Sequence, residues 1–159
     1  QLEFNVDITH HFTIRTAYKY YDVQTDYLGG REIRPLQAKH RFFTNVGYET
    51  HVSDKGKQWK FDWTMNLIGK QKMPFTGSNP TQYQTREFSP NLTLMNAQIT
   101  HSFSPVFEIY VGGENITNYK QKDAIIGADD AFGTYFDSSM IYGPVFGAMY
   151  YAGLRLKIE

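Results

Sequence analysis

The sequence predicts an all-β chain with the architecture of an antiparallel up-and-down transmembrane β-barrel. Three observations lead to this prediction: strand-like alternation along most of the 159 residues, connections that alternate between short and long, and twelve tyrosines, twelve phenylalanines and two tryptophans. Tyrosine and tryptophan suit surfaces that are apolar at one end and wet at the other. The absence of cysteine excludes disulfides and thiolate metal sites, and a formal net charge of zero implies no attraction to nucleic acid.

Seven segments place apolar side chains at every second position, the period that predicts a half-buried strand. The clearest of them is "QWKFDWTMNLIG", in which Trp59, Phe61 and Trp63 alternate with Lys60 and Asp62. The seven segments span residues 2–9, 11–21, 40–50, 58–69, 94–103, 106–114 and 148–158. No segment has a helical period long enough to compete.

The connections between these segments differ in length in a regular way. Short turns are expected at 9–11, 52–57 and 102–105, and long loops at 24–37, 70–90 and 116–147. In a meander, alternate connections lie at the same end of the sheet, so one rim carries the turns and the other the long loops. Transmembrane barrels have this asymmetry, with short periplasmic turns and long extracellular loops.

The two faces of the predicted strands have separate roles in such a barrel. The apolar face is expected to meet outer-membrane lipid through Trp59, Phe61, Trp63, Tyr150, Leu154, Leu156 and Ile158. The charged face is expected to line the lumen through Arg15, Glu49, Lys60, Glu108 and Arg155. Antiparallel pairing predicts the cross-strand pairs Glu49–Lys60 and Glu108–Arg155 on that face, and a slightly shifted register predicts the pair Asp7–Arg15.

A soluble β-barrel or β-sandwich with a ligand-binding or structural role is the alternative, because alternation alone does not say which face is buried. In that case Trp59, Phe61 and Trp63 would form a core. The loop asymmetry, the aromatic side chains near the short turns and the odd number of strands favour the membrane interpretation.

Residues 112–158, "GGENITNYKQKDAIIGADDAFGTYFDSSMIYGPVFGAMYYAGLRLKI", resemble the C-terminal end of TonB-dependent outer-membrane receptors. Two stretches carry the resemblance, "GGENITNY" and "YGPVFGAMYYAGLRLKI", while residues 1–111 match only in strand rhythm. The matching positions are Glu114, Asn115, Asn118, Gly143, Pro144, Gly147, Tyr151, Gly153 and Leu154. Two positions depart from the family pattern: Ile158 stands where an aromatic residue is common, and Glu159 follows it.

The resemblance implies that residues 1–159 are about the last seven strands of a 22-stranded barrel and that the plug domain is absent from this chain. It implies a part of an active transporter of the cell outer membrane that takes up a scarce, large solute, namely a ferric siderophore, haem, cobalamin or oligosaccharide. The implied partners are the N-terminal plug domain of the same receptor, the TonB energy-transducing complex, the barrel assembly machinery and the transported ligand.

No enzymatic activity, cofactor or metal site is predicted. Asp137, Ser138 and Ser139 have no histidine nearby in sequence, and the five histidines fall on separate hairpins. Ligand contact is expected in the loop 116–147, because loops of that length on a rigid scaffold are commonly functional. The candidates at its tip are Asp129, Asp130, Phe132, Tyr135, Phe136 and Asp137, and the alternative is that these side chains only pack the loop.

Overall fold

A computed structural model describes residues 1–158, apart from the side chain of Tyr27. The described chain is all-β, with one short 3₁₀ turn at Thr81–Tyr83. Its strands are β1 (Leu2–Thr9), β2 (Phe12–Tyr20), β3 (Gln24–Tyr27), β4 (Gly30–Ile33), β5 (His40–Glu49), β6 (Gln58–Ile68), β7 (Leu92–Ser104), β8 (Phe107–Glu114) and β9 (Met149–Leu156). Among residues 1–158, no helix has the length and apolarity needed to cross a membrane.

Seven of these strands form one antiparallel sheet in the order β1-β2-β5-β6-β7-β8-β9. This confirms the seven predicted strands and their meander order. The sheet is open, with β1 and β9 at its edges, and it does not close into a barrel. The three short turns lie at one end of the sheet, and the three long connections lie at the other, which we call the long-loop end.

Two strand predictions need correction. The segment 24–37 was expected to be a loop, but it contains the separate hairpin β3–β4. Those strands have only four residues each and carry charges, so their alternation is too short to be recognised. The last strand was expected to reach Ile158 but ends at Leu156, although the backbone N–H of Lys157 still donates to the Val106 carbonyl.

The strands are staggered across the sheet. One hydrogen-bonded row runs through Phe12, Tyr48, Phe61, Ile99, Val111 and Ala152. Phe12 is the first residue of β2, whereas Ala152 lies four positions before Leu156, the last residue of β9. A stagger of this kind accompanies the strand tilt that a curved or closing sheet requires.

All five residues predicted to face the lumen lie on one face of the sheet, which we call the polar face. A cavity of about 490 Å³ on this face is lined by residues from β2, β5, β6, β7, β8 and β9. The sheet must therefore curve around the polar face. Thr100, Ser102 and Glu108 are buried there in spite of their polarity.

The opposite, apolar face is left uncovered by the described chain. Phe4 is 62% exposed, Val111 53% and Leu154 69%. Buried hydrophobic side chains lie elsewhere: Ala38, Met73, Ile126 and Met140 are in the long connections, and Leu92 begins β7. The hydrophobic core of this chain thus sits among the loops.

Aromatic side chains lie at both ends of the apolar face. At the short-turn end, Trp59 lies close to Phe61 and His101, with ring centroids 6.3 and 4.1 Å away, and Phe103 stacks on Phe107. At the long-loop end, Tyr18 and Tyr20 flank His40, and the Tyr18 hydroxyl lies 2.7 Å from His40 Nδ1. His40 and Tyr48 stand eight residues apart on β5, about 26 Å along the strand at ~3.3 Å per residue.

Candidate functional site

Glu108 is the centre of an ion-pair cluster on the polar face. Its Oε1 accepts from Lys60 Nζ at 3.2 Å and from Ser102 Oγ at 2.9 Å, and its Oε2 accepts from Arg155 Nη1 at 2.9 Å. Lys60 reaches Glu108 from β6, across the intervening β7. The cluster therefore joins four consecutive strands through one buried carboxylate.

The predicted cross-strand pairs have different outcomes. Glu108 lies opposite Arg155 and binds it, as predicted. Glu49 lies opposite Lys60, which confirms the register, but its carboxylate accepts from Gln58 Nε2 at 3.1 Å while Lys60 binds Glu108.

The Asp7–Arg15 pair is wrong. Arg15 lies opposite Asn5, and its guanidinium binds Glu3 at 2.7 Å. Arg15 therefore pairs with Glu3, its diagonal neighbour towards the long-loop end, and not with Asp7 near the short turn.

At the long-loop end, the two stretches that carry the receptor resemblance, "GGENITNY" and "YGPVFGAMYYAGLRLKI", come together. About 30 residues separate the positions that make contact. Asn115 Nδ2 donates to the carbonyls of Tyr119 and Phe146 at 2.7 and 3.3 Å, and its Oδ1 accepts from the Tyr119 N–H at 3.0 Å. Asn118 Oδ1 accepts from the Ala148 N–H at 3.0 Å. Both asparagines have positive φ, 49° and 53°, which this residue type tolerates better than most.

Gly147 is needed for this junction. A Cβ at Gly147 would clash with Asn118 Oδ1, so a larger residue would displace the asparagine. The two asparagines and Gly147 thus close the base of the loop 116–147 where it leaves β8 and returns to β9.

A buried glutamine holds the middle of the same loop. Gln121 Nε2 donates to the Met140 carbonyl at 2.7 Å, and its Oε1 accepts from the N–H groups of Tyr142 and Gly143 at 2.8 and 3.0 Å. Gln71 Nε2 links the neighbouring loop by donating to the Tyr142 carbonyl at 2.9 Å. The loops 70–90 and 116–147 are therefore joined by directed hydrogen bonds as well as by packing of Met73, Ile126 and Met140.

These loops lie over the polar side of the sheet. Leu92 is on the polar face, opposite Ile68, and is almost fully buried. A Cβ at Gly143 would lie 3.2 Å from Leu92 Cδ1 and 3.4 Å from Tyr119 Cε1. The loop 116–147 thus turns inward across the long-loop end of the curved sheet.

A cleft of about 460 Å³ opens between the two loops, and we call it the interloop cleft. Its floor and walls include Met73, Ser89, Tyr119, Gln121, Met140 and Tyr142. The charged residues of its lining are Arg86, Lys120, Lys122 and Asp123, an excess of two positive charges. Among the residues that the structure describes, Arg86, Lys120 and Lys122 form no salt bridge.

Tyr119 forms an uncharged part of the cleft wall. Burial, together with the neighbouring Tyr142 hydroxyl, raises the pKa of Tyr119 to about 12. The phenol therefore stays protonated at neutral pH and adds an apolar ring and an O–H group to the cationic cleft.

The six ligand-contact candidates at the loop tip fall into two groups. Asp129, Asp130 and Phe132 are exposed, and Phe132 is fully so. The others have internal contacts: Tyr135 stacks on Tyr83 at 5.0 Å, and Asp137 pairs its backbone with Ile126 and accepts from the Ser139 N–H at 2.7 Å.

Phe136 is half exposed beside them, and none of the six lines the interloop cleft. Ligand contact by these six residues stays a prediction.

Sequence reasoning missed Arg86 and the cleft itself. A signal existed in the charge distribution: Arg86 in "QTREF" and the lysines in "NYKQKD" are cations beside aromatic residues in two long loops. Within residues 1–158, no group of three or more His, Cys, Asp or Glu side chains could hold a metal ion. In comparisons with known protein families, curated proteins and solved structures, nothing matches this chain.

Proposed function

We propose that this chain is the C-terminal part of the barrel wall of a TonB-dependent outer-membrane transporter. The observation that carries the proposal is the sheet with an exposed apolar face and a polar face around which it curves. A water-soluble sheet buries its apolar face, whereas a transmembrane barrel turns that face to lipid and lines its interior with polar side chains. Aromatic residues at both ends of the apolar face fit the two interfacial girdles of such barrels.

The dimensions of the apolar face support a membrane span. Its two aromatic ends are about 26 Å apart along β5, and a strand tilt of roughly 40° reduces the height to about 20 Å. This is close to the apolar band of about 25 Å found in outer-membrane barrels. The free edges of β1 and β9 would pair with further strands of the complete barrel.

The transporter class rests on the resemblance of residues 112–158. The matched residues Asn115, Asn118 and Gly147 meet in one hydrogen-bonded junction, which gives the motif a physical role at the top of the last hairpin. In the complete receptor, the polar face would meet the plug domain, and the loops above it would meet a scarce, large solute. The plug and the TonB complex would supply the coupling to energy.

The proposal is tested with an arginine on each face at one height of β6. Trp63 is on the apolar face, and its neighbour Thr64 is on the polar face. Trp63→Arg should cost about 2–4 kcal/mol near the bilayer midplane and block insertion into lipid vesicles, whereas Thr64→Arg should insert. Insertion is read from the mobility difference between heated and unheated samples on a gel.

The soluble alternative makes a different prediction for the same variants. If the apolar face is covered by protein, the chain will stay folded without detergent. In plain buffer, Trp63→Arg will then unfold the chain or dissociate an oligomer in which copies of the chain cover this face. A wild-type chain that is monodisperse and folded without detergent would therefore contradict the proposed function.

A further inference from the structure

We propose that the interloop cleft binds an anionic organic ligand that carries at least two negative groups beside a flat, apolar part. That the ligand is the transported solute rests on the proposed function. Binding of the ligand to the cleft depends only on the two loops. Three features of the cleft support it: its size, its charge and the rigidity of its walls.

The size of the cleft suits a small organic molecule. Pockets for such ligands commonly measure about 300–1,000 Å³ and combine apolar walls with a few placed polar groups. The interloop cleft is about 460 Å³, and its apolar walls include Met73, Phe88 and Met140. Tyr119 and Tyr142 add rings with hydroxyl groups, which suit a flat ligand better than a branched aliphatic one.

The charge of the cleft selects an anion. Arg86 belongs to one loop, and Lys120 and Lys122 belong to the other, so cationic residues line the cleft on both sides. Within the described residues these cations form no salt bridge, and Asp123 is the acidic residue of the lining. A ligand with two or three carboxylate, phosphate, sulfonate or phenolate groups would match the excess positive charge.

The walls of the cleft are fixed before a ligand arrives. Gln121 is buried and uses both atoms of its amide on the backbone of residues 140–143. Ser89 Oγ accepts from the Gln71 N–H at 3.0 Å and donates to the Pro90 carbonyl at 3.0 Å. Because the backbone under the cations is held in this way, little ordering is needed on binding, which favours affinity.

The acidic tip of the loop 116–147 is a separate surface. Asp129 and Asp130 do not line the cleft and would repel an anion. The proposal therefore assigns ligand contact to Arg86, Lys120 and Lys122 and not to the acidic tip.

The test uses pyranine, a fluorescent pyrene with three sulfonates, as the probe. Its anisotropy is titrated with the whole chain in nonionic detergent, and sodium citrate is then added as a non-aromatic competitor. Lys120→Gln combined with Lys122→Gln should weaken pyranine binding about tenfold, and Arg86→Gln should weaken it further. The matched control, Lys55→Gln with Lys57→Gln, removes the same charge from the turn 52–57 at the opposite end and should bind as the wild type does.

The outcomes separate the two proposals. Equal binding by the wild type and the Lys120/Lys122 variant, or equal weakening in the control, would overturn the cleft assignment. Displacement by citrate supports recognition of the anionic groups, and sucrose at the same concentration should displace nothing. Insertion into vesicles is measured on the same preparations. A chain that inserts but does not bind pyranine contradicts only the proposed ligand site in the interloop cleft. A chain that binds pyranine without inserting contradicts only the proposed membrane location.

Discussion

Glu108 and Arg155 face each other across β8 and β9, with Arg155 Nη1 2.9 Å from Glu108 Oε2. The carboxylate is buried, and Lys60 and Ser102 bind its other oxygen. Removing the negative charge would leave two cations next to each other on the polar face, with one buried hydrogen-bond acceptor weakened. Because of these contacts, we expect substitution of Glu108 to destabilise the sheet.

Glu108→Gln should lower the free energy of unfolding by about 1–3 kcal/mol, because charge-assisted hydrogen bonds are lost while the exposed cations remain hydrated. Guanidinium unfolding in detergent, followed by tryptophan fluorescence, measures the change. Glu49→Gln is the control, since Glu49 is exposed and, within residues 1–158, its carboxylate has one hydrogen-bond partner, Gln58; it should stay within about 0.5 kcal/mol of the wild type. Equal effects of the two variants would show that the cluster has no special role.

Asn115→Ala should loosen the loop 116–147 without unfolding the sheet. The change removes four hydrogen bonds of the Asn115 side chain, each worth about 0.5–1.5 kcal/mol, and places alanine at a positive φ. Trypsin should then cut after Lys120 and Lys122 at least tenfold faster while β-sheet circular dichroism is unchanged. The control is Asn91→Ala, at an exposed asparagine just before β7, and trypsin should cut this variant at the wild-type rate.

Gly153→Ala should destabilise the last hairpin, because the new Cβ would clash with the hydroxyl of Tyr110. We expect a cost of about 1 kcal/mol or more, since the tyrosine ring must move. Combining Gly153→Ala with Tyr110→Ala should remove the clash, so that the two changes are not additive in a double-mutant cycle. Gly29→Ala is the control: no atom lies within 4 Å of the added Cβ, so stability should not change. Strict additivity of Gly153→Ala and Tyr110→Ala would contradict the close contact between these two residues.

Alkaline titration should reveal Tyr119. Its pKa is raised from 10.0 to about 12, so the folded state retains the proton that the unfolded state loses. The contribution to stability is intact below about pH 10 and is lost as the pH rises towards 12. Absorbance of tyrosinate near 295 nm should show one late transition that Tyr119→Phe removes, and an unchanged titration curve in that variant would contradict the assignment.

Strand positions and faces could be predicted from the sequence because alternation fixes which side chains share a face. The register placed Glu49 opposite Lys60 correctly, yet it could not reveal that Lys60 binds Glu108. That choice depends on how Ser102 and Arg155 hold the carboxylate across two further strands. Register determines neighbours, and the curvature of the sheet determines which of them touch.

The interloop cleft could not be predicted in the same way. Arg86 and Lys120 are 34 residues apart in non-periodic loops, and the hydrogen bonds of Gln71 and Gln121 bring those loops together. Buried glutamines of this kind have no pattern in sequence. Asn115, Asn118 and Gly147 could be singled out in the sequence because they match a family pattern, but their meeting in one junction could not be predicted.

The position of the apolar face in the bilayer is tested most directly by the depth of the two tryptophans. Trp59 lies near the short-turn end of β6, and Trp63 is four residues further along, about 13 Å at ~3.3 Å per residue. The variants Trp63→Phe and Trp59→Phe each leave one tryptophan, whose fluorescence is quenched by lipids brominated at a shallow or a deep acyl position. We predict that deep bromines quench Trp63 more strongly and that shallow bromines quench Trp59 more strongly. Absence of quenching at both positions, or quenching that does not depend on bromine depth, would contradict the claim that this face meets lipid.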